Sequence, residues 1–164
     1  MKLSKTCKTA VIFFSLLFFY GCSSNPASEK TPETFSGRGK AEYFGEWYEF
    51  EVIKEQTSKY IFTVICPHAL EGMTVKYSDG STELCLDGIQ NKLDFRESSS
   101  VFALVSQILD DSSLAGRMTF QSRSGDTDFF TGSISHGSYK IGFKNGLPVS
   151  FSLPPNFSAE LFFN

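Results

Sequence analysis

Turn signals at short intervals constrain this chain more than any other feature. Asp79-Gly80 and Asn145-Gly146 are two-residue hairpin signals, since both residues tolerate the positive φ that a tight turn between right-twisted strands requires. Asp87-Gly88, Gly45 and Pro154-Pro155-Asn156 mark further reversals. Between the turns, apolar residues alternate at the period of a strand. Tyr48, Phe50 and Val52 share one face of Glu46–Lys54, with Trp47, Glu49 and Glu51 on the other. Tyr60, Phe62 and Val64 align within Lys59–Ile65, and Tyr139, Ile141 and Phe143 within Tyr139–Phe143. Phe35–Phe44, Thr74–Tyr77, Thr82–Leu86, Ile89–Phe95, Arg117–Ser122, Asp128–Ser135, Val149–Leu153 and Phe157–Phe163 read the same way. Pro67 closes the third run, because it has no ladder donor and holds Cys66 extended. The expectation is about ten short antiparallel strands, a sheet wide enough that it must curl or split.

One stretch breaks the pattern. In Ser98–Asp110, Val101, Leu104, Val105, Ile108 and Leu109 fall at i, i+3, i+4, i+7 and i+8, an apolar stripe at the helical period. Ser99 or Ser100 can cap the first turn. Asp110 and Asp111 sit against the negative end of the helix dipole, which predicts a frayed last turn. The fold class is therefore α+β and mostly antiparallel: a curved sheet or incomplete β-barrel with one helix on its concave side, over residues 35–164.

The first residues are of another kind. Lys2, Lys5 and Lys8 precede an apolar run from Ala10 to Tyr20, of h-region length and too short to span a bilayer comfortably. Gly21-Cys22 follows and resembles the lipobox of bacterial lipoproteins, although Phe19 and Tyr20 depart from its usual residues. That resemblance implies cleavage between Gly21 and Cys22, a signal peptide over residues 1–21, and acylation of Cys22. The alternative is a plain signal peptide or signal anchor. Residues 22–34 are polar, contain proline and lack periodicity, as in a flexible tether. Two acyl chains, at ~0.8 kcal/mol per buried CH₂, suffice for a stable anchor. The expected place is extracytoplasmic, lipid-anchored to a cell membrane. Three positive charges and no acid lie in the leader, so the mature chain carries −6 rather than −3. Such a charge disfavours nucleic acid and electrostatic docking on anionic headgroups.

Chemistry is hard to find. Cys66 and Cys85 fall on strands separated by a third, roughly 9–10 Å apart at ordinary strand spacing. That exceeds the reach of a disulfide without a bend, so two buried thiols are favoured over the bridge that an extracytoplasmic place would permit. Neither His68 nor His136 has metal-ligand spacing, and no metal or cofactor is implied. Cys66 and His68 lack the orienting group of a thiol–imidazole nucleophile. Asp126 and Asp128 lack the ligand pattern of a calcium loop, and Asp110-Asp111 reads as a solvated helix end. No Gly-x-Ser-x-Gly elbow or phosphate-binding glycine loop occurs, so no catalytic residue is assigned and no enzyme is expected.

Three segments together resemble small bacterial lipoproteins with the fold of the lipoprotein carriers LolA and LolB. They are Phe35-Ser-Gly-Arg-Gly-Lys-Ala-Glu42, Pro67-His-Ala-Leu-Glu-Gly-Met-Thr-Val-Lys-Tyr77 and Asn145-Gly-Leu-Pro-Val-Ser-Phe-Ser-Leu-Pro-Pro155. The resemblance implies an incomplete barrel around a helical lid, and acyl chains held in an apolar hollow. Among this chain's own residues, Tyr48, Phe50, Tyr60, Phe62, Phe130, Tyr139, Phe143 and Phe151 are candidates to line such a hollow. Val101, Leu104, Val105 and Ile108 would face them from the helix. The same aromatics could equally fill a solid core. The expected function is non-enzymatic binding of an apolar small molecule, an acyl chain or lipid, under the lid. The alternative is an envelope accessory domain that works through protein contacts.

Overall fold

The computed structural model describes residues 29–78, 81–86, 88–93 and 100–163. The leader, Gly21, Cys22, the first part of the tether, Asp79-Gly80, Asp87 and the first residues of the expected helix lie outside them. Eleven strands form a single antiparallel sheet, one for each punctuated run rather than the round ten expected. They are β1 Phe35–Tyr43, β2 Glu46–Gln56, β3 Lys59–Cys66, β4 Thr74–Ser78, β5 Ser81–Leu86 and β6 Ile89–Leu93. After the helix come β7 Thr119–Ser124, β8 Thr127–Ile134, β9 Gly137–Lys144, β10 Leu147–Leu153 and β11 Phe157–Phe162.

The spatial order is β6-β5-β4-β3-β2-β1-β11-β10-β9-β8-β7. Two meanders are thus joined through their outer strands, β1 against β11, with Ala41 opposite Ala159. The two ends of the chain's β-structure meet in the middle of the sheet, and β6 and β7 become its edges. Tight turns make this possible: Asn145 and Gly146 sit at φ of 52° and 77°, as a hairpin of that type requires. The chain passes from one edge strand, β6, to the other, β7, through the segment that carries the helix α1, Val101–Asp111. Packing places α1 on the inward face of the sheet, where it shares one apolar core with the strands.

Alternation puts the expected residues inside. Phe50 and Val52 from β2, Tyr60, Phe62 and Val64 from β3, and Tyr139, Ile141 and Phe143 from β9 are all buried, while Trp47 is exposed. With Phe130, Phe151, Phe157 and Leu161 they form one core around α1. The helix itself is apolar on more than a stripe. Phe102 and Ala103 are buried beside Val101, Leu104, Val105, Ile108 and Leu109. Ser100 caps it, its hydroxyl accepting from the Ala103 N–H at 3.3 Å.

Two expectations are corrected. The last turn of α1 does not fray: Asp111 closes it, and the Ser112 N–H still reaches the Ile108 carbonyl at 2.9 Å. Cys66 and Cys85 are free and stand on strands separated by β4, but neither is buried. A bulge opposite Glu49–Phe50 ends the alternation of β3 before Cys66, which is exposed. Cys85 pairs with Thr74 on the sheet face away from Val75 and Leu84, and is half-buried.

Candidate functional site

The candidate site is the space between α1 and the concave face. Eleven of the twelve residues expected there gather in one cluster: Phe50, Tyr60, Phe62, Val101, Leu104, Val105, Ile108, Phe130, Tyr139, Phe143 and Phe151. Tyr48 packs against them from a half-buried position. The cluster is filled by its own side chains. Phe50, Phe62, Val105 and Ile108 are wholly inaccessible, so no water-sized void adjoins them.

Phe102, which the helical stripe leaves out, is the wedge. Its ring centroid lies 5.6 Å from Phe50, 5.3 Å from Phe62 and 6.1 Å from Tyr48, at angles between tilted and edge-to-face. The signal for it is present in the sequence. Val101-Phe-Ala-Leu-Val105 is apolar without interruption, as in a helix buried all round.

The other end of α1 is polar. Tyr60 Oη donates to Asp110 Oδ1 at 2.6 Å, and the Ser58 N–H donates to the same oxygen at 2.9 Å. Tyr139 Oη donates to Asp111 Oδ2 at 2.7 Å. Burial, and then the aspartate beside each, pushes both phenols well above the ordinary tyrosine range. Lys54 Nζ donates to Ser113 Oγ at 2.8 Å from a position with 1% exposure, 5.7 Å from the Tyr60 ring centroid. Burial holds its ammonium below the usual lysine range, against the charges of Asp110 and Glu33. Within the expected tether, Thr31 is buried, and it too meets this end of the helix, at Ser112. Gln107 reaches His136 in the β8–β9 turn at 3.2 Å. An open hollow of about 290 Å³ lies near there, lined by Tyr43, Phe44, Leu104, His136, Leu153 and Pro154 among others.

Elsewhere several polar residues form local pairs, while Thr82 Oγ1 is buried without a hydrogen-bond partner among the described residues. His68 meets Glu71 at 2.5 Å in a short 3₁₀ turn, His68–Leu70. Asp128 grips Arg123 through two hydrogen bonds, which hold its carboxyl below the usual range, and Asp126 meets Lys144 at 2.8 Å. Among the described residues no three His, Cys, Asp or Glu side chains converge as metal ligands would.

No family model and no curated protein matches the sequence. Among solved structures, the fold is similar to that of a LolA-superfamily protein from Nitrosomonas europaea, at 13% identity and a TM-score of 0.41. That likeness covers 83% of this chain and 67% of the other. It is also similar to an uncharacterized conserved protein from Thermus thermophilus, at 11% identity and a TM-score of 0.48, over 82% of this chain and 77% of the other. At these identities the likeness is one of fold.

Proposed function

We propose that this protein is a membrane-tethered, non-enzymatic binding protein that takes an acyl chain or similar lipid between α1 and the concave face of the sheet. The observation that supports this reading is the uneven way in which α1 is held. From Val101 to Ser106 it meets the sheet through apolar side chains. Among the described residues, the side-chain hydrogen bonds that tie it to its surroundings fall between Gln107 and Ser113. Apolar contact has no directional requirement, so the first half can exchange protein surface for ligand surface. Affinity then comes from apolar area removed from water, at ~25 cal/mol per Å². The hollow beside Leu104, about 290 Å³, supplies an entrance on that side. The leader and the lipobox-like Gly21-Cys22 supply the tether, with Cys22 as the acylated residue.

Native mass spectrometry of the full-length protein, purified from its own membranes, tests the ligand. A co-purifying lipid is expected, and the emptied protein should bind a fluorescent fatty acid. Consistent absence of both overturns the reading. Globomycin, which blocks the lipoprotein signal peptidase, tests the tether: the precursor should accumulate, and a Cys22→Ser variant that still matures normally and stays membrane-bound overturns it.

One observation favours a second reading, an accessory domain that works by protein contact. The interior is closely packed, and Phe44 and Trp47 stand exposed at 66% and 60%. That reading predicts no lipid under α1 and a partner lost on Trp47→Ala.

A further inference from the structure

The groups that hold the last turn of α1 are not equivalent. Lys54, Tyr60 and Tyr139 belong to β2, β3 and β9, and Ser58 to the turn between β2 and β3. They are fixed in the sheet's ladder and cannot leave without breaking it. Thr31 is different. It precedes β1, belongs to no strand or helix, and is nonetheless 2% exposed. Its N–H donates to the Ser112 carbonyl at 3.1 Å, and its Oγ1 lies 2.5 Å from Ser112 Oγ. Ser112 Oγ already donates to the Leu109 carbonyl at 3.1 Å, so the Thr31 hydroxyl is the donor in that pair.

Ser112 is where α1 ends, and its carbonyl is one that no helical N–H can satisfy. The segment before β1 therefore completes a buried helix end from outside the sheet. Pro32 keeps Thr31 extended, the geometry in which its N–H faces a neighbouring chain. Glu29 rests near the β9–β10 hairpin, 3.8 Å from where a Cβ on Gly146 would stand. Glu33 acts on the buried Lys54 ammonium.

We propose that residues 29–33 form a releasable latch: docked, they add to the hold on the C-terminal end of α1, and undocked, they loosen it. Position of the amino-terminal tether and access to the apolar interior are then one equilibrium. The first half stands by itself, while the link to access rests on the ligand reading above. The latch is weak enough to release, since each intramolecular hydrogen bond shifts an equilibrium by about fivefold.

Hydrogen exchange on the full-length protein tests it, with the β2 and β3 amides as internal reference. Thr31→Val removes the hydroxyl and keeps the N–H. Thr31→Pro removes both donors. The α1 amides should exchange about fivefold faster in the first and about thirtyfold faster in the second, with β2 and β3 unchanged. Binding of a fluorescent fatty acid should rise in the same order. Unchanged α1 rates, or α1 and the sheet accelerating together, overturn the latch. Faster α1 exchange with probe binding unchanged keeps the latch and overturns its link to access, whereas absence of both co-purifying lipid and probe binding overturns the ligand reading. Where Thr31→Pro does not fold, Thr31→Val decides between these outcomes alone.

Discussion

The two halves of α1 share one buried apolar face, yet among the described residues directed side-chain hydrogen bonds to the rest of the molecule fall on the second half alone. The first, Val101 to Ser106, is packed by Phe102 among Tyr48, Phe50 and Phe62, and its one polar side chain turns back on itself, Ser106 Oγ donating to the Phe102 carbonyl at 2.8 Å. The second, Gln107 to Asp111, adds to its buried Ile108 and Leu109 a set of pins: phenols on Asp110 and Asp111, and an ammonium and a hydroxyl on Ser113 and Ser112 just beyond its end. Non-directional packing is strong but interchangeable; directed hydrogen bonds are weak but particular. A helix built in this way is stable as a whole and has a preferred end from which to lift.

Phe102→Ala tests the stronger half and carries the largest expected effect. Removing a buried aromatic wedge leaves a cavity and costs on the order of 3–5 kcal/mol in a urea titration. A loss under about 1 kcal/mol would mean that the first half of α1 collapses onto the sheet without it. The packing contrast would then be false.

How far this contrast could be read in advance depends on the range of the forces. The strands, their faces and the helix period are short-range patterns, and Phe50, Phe62, Tyr139 and Val105 lie where alternation or the 3.6-residue repeat puts them. Lys54 was also legible, since it continues the inward series Phe50, Val52, but a lysine does not invite a buried assignment. The polar pins were not. Asp110 and Asp111 look unfavourable against the helix dipole, and only phenols from β3 and β9, 50 and 28 residues away, reverse that judgement. Thr31 gives no local sign of its partner 81 residues on.

The tyrosines test the directed half. Tyr139→Phe should cost on the order of 1–2 kcal/mol and Tyr60→Phe somewhat less, because Asp110 keeps the Ser58 amide. Their signature lies in pH. Both phenols are raised, so the folded state keeps protons that the unfolded chain releases above about pH 10. The stability they confer is complete below that point and falls as pH rises through it. In the double variant Tyr60→Phe with Tyr139→Phe, that fall should flatten in urea midpoints followed across the alkaline range. An unchanged slope would show that the phenols are not what responds.

Lys54 gives the smallest effect and the sharpest distinction. Its pKa is lowered, chiefly by burial, so folding works against its charge, and stability from this group rises with pH as the folded lysine gives up its proton, levelling off once the unfolded lysine has lost its own. That is opposite in sign to the tyrosines, and it ends about where their fall begins. Lys54→Met keeps the volume and removes the charge, and Ser113 Oγ still donates to the Leu109 carbonyl at 2.7 Å, so no partner is orphaned. If burial of the ammonium outweighs its attraction to Asp110 and Glu33, the variant gains on the order of 1 kcal/mol at neutral pH. It should also lack the rise in stability that precedes the alkaline fall. A loss of stability instead would make Lys54 an electrostatic clamp, and the second half of α1 would be held by charge rather than by directed hydrogen bonds.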